Sequence, residues 1–303
     1  MNAFINMLNT QAILLIYLLI GILCRKRSII TIKNQQQYIN LVLTILMPCM
    51  VFNSFKSVTV SILKSSLLVL IISLLICCFS MLLGSFVYRH YPESKKKVLQ
   101  YATIINNAGF AGLPLARETF GNEGLIYASI FLIPIRIFVW SAGITILSNE
   151  KTDKITLFKK LMKNPCILAV FFGLARGLAE LNFPPFAEAA LNNLSACVSP
   201  LSMIIIGAII ADVNIRTIFE KGVLLYSFIR LLLLPIIVYS VTTILNLPTV
   251  IVGTSMILTA MPAATSTALL AAQYNSDVSF ASKIVFVTTF LSLFTAPLLM
   301  LLM

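Results

Sequence analysis

Residues 104–120, IINNAGFAGLPLARETF, sit among apolar runs like a membrane span but cannot continue as one uninterrupted helix. Asn106 and Asn107 place two amides mid-span, Gly109 and Gly112 loosen the backbone, and Pro114 removes a donor. Backbone opened in hydrocarbon must find new partners, so such a break is tolerated only inside protein or facing a water-filled cavity. A second interrupted span covers residues 256–274, MILTAMPAATSTALLAAQY, where Pro262 is followed by Ala263, Thr265 and Ser266. Two interrupted spans in corresponding places of two halves point to the binding site of a carrier.

The composition of the chain agrees. Of its 303 residues 59% are hydrophobic and 11% charged, well below the quarter or so of charged residues in soluble domains. The net charge of +12 sits in short clusters between apolar runs, as in loops facing an anionic leaflet. Nucleic acid is therefore not an expected partner. The six cysteines fall within apolar spans at no metal-ligand spacing and read as packing residues. The first apolar run has no basic residue ahead of it and no small-residue cleavage site behind it, so it reads as a retained span.

At about 20 apolar residues per span, the chain divides into ten. They cover residues 8–24, 38–55, 65–88, 104–120, 124–147, 164–181, 187–211, 222–245, 256–274 and 278–302. The charged stretch 149–163 is the one plausible hinge, leaving residues 1–148 and 164–303 as five-helix halves. Fifteen of the 22 basic residues fall in the odd-numbered connections, and Lys283 lies just inside the start of the tenth span. The expected protein is thus a multi-pass protein of the cell membrane, with those connections cytoplasmic and both termini extracytoplasmic. FGNE at residues 120–123 is echoed by YNSD at 274–277, and Ala128-Ser129 by Ala281-Ser282. Pro48 and Pro200 share that spacing of 152 to 154 residues. An odd number of spans per half turns the second half upside down relative to the first. Coincidence within low-complexity apolar sequence is the competing explanation, and the prolines of the two breaks do not superpose at this spacing.

The run from Asn107 to Leu115, the Met261-Pro262-Ala263 segment and the stretch from Arg230 to Pro235 together resemble the auxin efflux carrier family. The resemblance covers all ten spans. It implies two inverted five-helix repeats, with the fourth and ninth helices crossing near mid-membrane. It further implies a dimerising scaffold of helices one, two, six and seven, an elevator-like moving domain, and organic anions as substrates. Lacking the long cytoplasmic loop of many plant members, the chain is similar to the compact microbial branch. It departs from the plant pattern at Asn106, where proline is common, and at Ala263, where glutamine is common.

Read from the residues, Pro114 and Pro262 each suit the first turn of a half-helix, whose free N–H groups favour an anion. Asn107 adds a side-chain donor, and Thr265 and Ser266 add hydroxyls. The competing explanation is that small and polar residues merely let crossing helices pack closely. Arg136, Arg176 and Arg230 lie within spans, whereas the carboxylates lie near span ends. Arg136, close to mid-depth, is expected to face either a substrate carboxylate or protein acceptors such as freed carbonyls, Glu118 or Glu188. His90, the one histidine, lies in a basic loop, which leaves no metal site or catalytic triad to assemble. No phosphate-binding glycine loop with a following lysine is present, so neither a cofactor nor direct use of ATP is expected. The expectation is a carrier of small organic anions; an anion channel and a non-transporting membrane sensor are the alternatives.

Overall fold

The computed structural model describes residues 2–57, 59–148, 155, 156, 159, 162–211, 218, 220–264 and 266–303. Among these the fold is all-helical, with one isolated antiparallel bridge as the exception. The helices are α1 (Asn2–Lys26), α2 (Gln35–Ser54), α3 (Val60–Val87), α4 (Glu93–Ile104) and α5 (Leu113–Phe138), followed by α6 (Pro165–Leu178) and α7 (Pro185–Ile209). The chain then forms α8 (Lys221–Ile244), α9 (Thr249–Thr259), α10 (Ser266–Gln273) and α11 (Val278–Met300). Of the described helices, α2, α3, α7, α8 and α11 are long and apolar enough to cross a membrane, while α6 and α9 are shorter apolar helices.

Local chemistry sets the helix ends. Thr59 caps α3 by accepting from the Ile62 N–H, and Asp277 caps α11 by accepting from Phe280 N–H at 2.9 Å. Asn164 caps α6 through the N–H groups of Cys166 and Ile167, with Pro165 next to it, where a missing donor costs nothing. Pro48, Pro114 and Pro235 share one device. Each follows, two residues on, the end of a π-helical turn: Val42–Leu46, Ala108–Gly112 and Ile229–Leu233. Proline lacks the N–H and crowds the carbonyl four residues back, and a widened turn just ahead accommodates both. Gly121 bends α5 with φ +65° and ψ −154°, a conformation open to glycine and strained for other residues. The helix that leaves the first break is therefore divided at Gly121 into two segments.

Packing divides the helices into two groups. In one, α1 lies along α7 and α2 packs on α6. The contact of α1 with α7 is backbone on backbone: a Cβ on Gly21 would lie 2.0 Å from the Ile204 carbonyl oxygen, and one on Gly207 2.0 Å from that of Leu18. Gly173 gives α6 a close seat on α2, since a Cβ there would meet the Phe55 ring at 2.9 Å. The second group contains α3, α4, α5, α8, α9, α10 and α11, with α3 on α5 and α9 against both α5 and α8. Outward-facing apolar residues such as Leu67, Leu75, Leu82 and Phe86 on α3 are more than 60% exposed. Lipid covering such a face supplies the burial that water cannot.

Arg176, buried in the first group, is a structural residue. It pairs with Glu188, donates to the Leu181 carbonyl, and stacks on the rings of Phe183 and Phe52. Glu188 is shared with Lys56 at 3.3 Å, so it answers Arg176 and not Arg136.

Candidate functional site

The site is built where α4 and α9 stop. After Ile104 and Thr259 the two chains leave the helical path and pass each other antiparallel, bridged at Asn106 and Ala263. Asn107 N–H donates to the Pro262 carbonyl at 2.8 Å, and the Ala263 N–H donates to Thr288 Oγ1 at 3.1 Å. Asn106 turns its amide across the crossing. Its Nδ2 donates to the Leu258 carbonyl at 2.5 Å while its Oδ1 accepts from the Ala108 N–H at 3.3 Å.

Carbonyls left over at the ends of α4 and α9 need donors, and α8 supplies them. Tyr226 Oη–H donates to the Ala102 carbonyl at 2.9 Å. Arg230, one turn further on, donates from Nη1 to the Thr103 carbonyl at 2.9 Å and from Nε to the Met261 carbonyl at 3.1 Å. It is only 2% exposed. Arg230 is thus a clamp holding both breaks, and it does not line the neighbouring cavity. Its charge is directed at two helix C-terminal ends, which carry partial negative charge.

Pro114 falls in the first turn of α5, as expected, but neither proline sits at its break. The first break is at residues 105–107, ahead of Pro114, which comes only after the π-helical turn. Pro262 lies in the extended crossing segment and offers its carbonyl, and the following half-helix is α10, starting at Ser266. The amides and not the prolines mark the breaks. Gly112 packs toward α9, where a Cβ would come 2.7 Å from Leu258 Cδ2. Thr265 lies outside the described residues.

A cavity of about 380 Å³ opens on one face of the crossing, and Asn106, Asn107, Gly109, Arg136 and Ser266 meet on it. The N–H groups of Ala111 and Gly112 are taken by the Asn107 carbonyl. Those of Gly109 and Phe110, in the first turn of the half-helix, have no acceptor among the described residues. Asn107 is 4% exposed and its Nδ2 is buried without a partner. Arg136 lies against Gly109, whose absent Cβ would be 3.1 Å from Arg136 Nη2. A side chain at position 109 would push the guanidinium off that wall. The ion pairs among the described residues use Lys56, Lys95, Lys96, Arg176 and Lys283. None of them supplies a carboxylate to Arg136. Below it, Tyr101 Oη and Ser266 Oγ are 3.4 Å apart and tie α4 to α10.

Part of the lining therefore carries donors without an acceptor among the described residues. A second part of the lining, from α2 and α7 in the other helix group, is aliphatic and includes Ile39, Leu43, Ile205 and Ile209. Nothing in the sequence distinguishes those four from other aliphatic residues of the spans. Tyr226 did leave a signal, as a polar residue four positions before Arg230 and so on the same helix face.

A family model described as membrane transport protein matches residues 7–300. An uncharacterized transporter of Methanothermobacter thermautotrophicus is 24% identical over 302 residues, covering 97% of this chain and 98% of its own length. Another, from Methanocaldococcus jannaschii, is 26% identical over 302 residues, covering 94% of this chain and 95% of its own.

Proposed function

The chain belongs to the membrane transport protein family, and on that premise we propose that it is a secondary carrier moving a small organic anion, a carboxylate, across the cell membrane. The observation that carries this reading is the convergence on one cavity of four donors without acceptors. These are the Gly109 and Phe110 N–H groups, Asn107 Nδ2 and the Arg136 guanidinium. A carboxylate has two oxygens and about four lone-pair sites, and a helix N-terminus together with an arginine fork is suited to them.

Alternating access is part of the proposal. The large cavity has a much smaller counterpart of about 30 Å³ on the other face of the crossing, against Ala111, Met261 and Pro262. A carrier caught open to one side presents that asymmetry, whereas a channel conducts through both faces at once. We read the helical segments as ten spans in two inverted five-helix repeats, supported by the crossing of the two breaks and by the sequence echo. Both termini are placed outside on the loop charges; tags on either terminus that are protected in intact cells would overturn that orientation.

Reconstituted protein should show saturable, counterflow-capable uptake of a carboxylate. Arg136→Gln should fold and weaken that uptake at least tenfold, with Arg136→Lys intermediate because it restores charge without the planar fork. Normal affinity in Arg136→Gln, or flux without counterflow, would refute the reading.

A further inference from the structure

We infer that the substrate is a monocarboxylate with an uncharged aliphatic body, and that dicarboxylates are excluded. The inference rests on the anion-binding reading above and deepens it. Three observations carry it.

First, among the described residues lining the cavity, Arg136 supplies the only charge, and all the unpartnered donors lie on its side. One carboxylate uses that set. A second carboxylate would reach the rest of the lining, where no cation and no free N–H waits for it. A charge buried without a partner is strongly disfavoured, and the cost grows as water is excluded.

Second, that part of the lining is aliphatic. Ile39 and Leu43 come from α2, Ile205 and Ile209 from α7, and Ile135 and Leu270 close the sides. Branched side chains present knobs, not the flat faces on which a ring stacks, and Phe110 is the one aromatic residue among the described residues of the lining. A flexible or branched alkyl group fits between knobs better than a planar ring does.

Third, the cavity is small. At a water's share of roughly 30 Å³, about 380 Å³ holds on the order of a dozen heavy atoms. Three of these belong to the carboxyl group, leaving room for a short alkyl body. The donors come from the helix group of α4 and α5 and the aliphatic residues from that of α2 and α7, so the carboxylate end fixes the orientation of the tail.

The test is equilibrium binding to the purified full-length protein in lipid nanodiscs, followed by calorimetry or thermal shift. The probes are hexanoate, 4-methylpentanoate, succinate, glutarate and phenylacetate, with hexylamine as a cation control. The two aliphatic monocarboxylates should bind at least tenfold more tightly than either dicarboxylate, and more tightly than phenylacetate. A second cation placed on the aliphatic wall, Ile209→Arg or separately Ile205→Arg, should narrow or reverse the preference for mono- over dicarboxylates. Two positions are used so that a folding failure at one leaves the other to decide.

Succinate or glutarate binding as tightly as hexanoate, and weakened by Arg136→Gln, would overturn this inference and leave the anion carrier standing. Phenylacetate binding more tightly than hexanoate would overturn the aliphatic body. Carboxylate binding that ignores both Arg136→Gln and Asn107→Ala, or tighter binding of hexylamine, would overturn the anion site itself.

Discussion

Asn106 and Asn107 are adjacent amides with opposite duties, and alanine at each should separate them. Asn106 has both ends of its amide engaged, Nδ2 on the Leu258 carbonyl at 2.5 Å and Oδ1 under the Ala108 N–H at 3.3 Å. Asn106→Ala leaves a buried acceptor and a buried donor short of a partner. At about 1–3 kcal/mol for each orphaned group, the loss is about 2–6 kcal/mol. Met261 N–H, 3.4 Å from the Leu258 carbonyl, offers only a long replacement bond, so the upper half of that range is the less attainable one. Asn107 Nδ2 has no partner to lose. Asn107→Ala removes a buried donor that was already unpaired, and its main-chain bond to Pro262 is untouched. Stability should therefore hold or rise slightly. Bound anion, by contrast, loses a donor in a desolvated site, about 1–3 kcal/mol, which is roughly 5–150-fold in affinity. Thermal unfolding in detergent, with and without a carboxylate ligand, reads both effects. Asn106→Ala should lower the ligand-free melting temperature by several degrees, and Asn107→Ala should leave it alone while the ligand-induced rise shrinks. Equal destabilisation by the two variants, or an undiminished ligand shift in Asn107→Ala, would refute the division of labour.

Arg230→Met should lower stability by a few kcal/mol, because two buried carbonyls lose their donors at about 1–3 kcal/mol each, offset in part by removal of a buried charge. Arg230→Lys reaches one carbonyl at a time and should fall between; an unchanged melting temperature in Arg230→Met would show that the clamp is dispensable. Glu220, just before α8, joins Lys283 at 2.5 Å and Lys95 at 2.8 Å, and the hydrogen bonds from Lys283 and then Lys95 hold its carboxyl below the ordinary carboxylate range. A lowered pKa means its contribution is fully present above the unfolded value, about 4.3, and is lost as pH falls through the folded one. Melting curves from pH 7 down to pH 3 should therefore drop less steeply for Glu220→Gln than for the parent. Parallel curves would remove the cluster from the account of acid sensitivity.

The breaks themselves were readable because polar and helix-breaking residues are expensive in apolar spans. Asn106, Asn107 and Pro262 stand out on that ground alone, and the division of α5 was legible around Gly121. What could not be read was the direction in which each polar group points. Arg136 and Arg230 look alike in sequence, each an arginine inside a span near a proline. One faces a cavity and the other is enclosed by main-chain carbonyls, and only the crossing geometry decides between them. Pro114 does fall in the first turn of α5, yet the break lies a π-helical turn ahead of it, and Pro262 lies in the extended crossing and not in a helix. Widened turns absorb proline within a helix, so proline marks strain near a break without fixing its place. The aliphatic wall carried no signal, since an isoleucine facing a cavity and one facing lipid obey the same hydropathy.

The main-chain bonding of the crossing bears on how such transporters diversify. The bridge between residues 106 and 263, and the bond from position 107 to the Pro262 carbonyl, use groups that nearly every amino acid possesses. Position 263 contributes its N–H to Thr288 and its backbone to the bridge, so its side chain is not needed to hold the crossing together. Ala263 is itself fully buried in the packed core, so a larger side chain there would have to displace its neighbours. Selection on the transported molecule can instead act on the aliphatic lining from α2 and α7, which takes no part in these main-chain bonds, largely independently of selection on folding. A lineage can exchange one cargo for another without first having to reinvent the membrane fold that carries it.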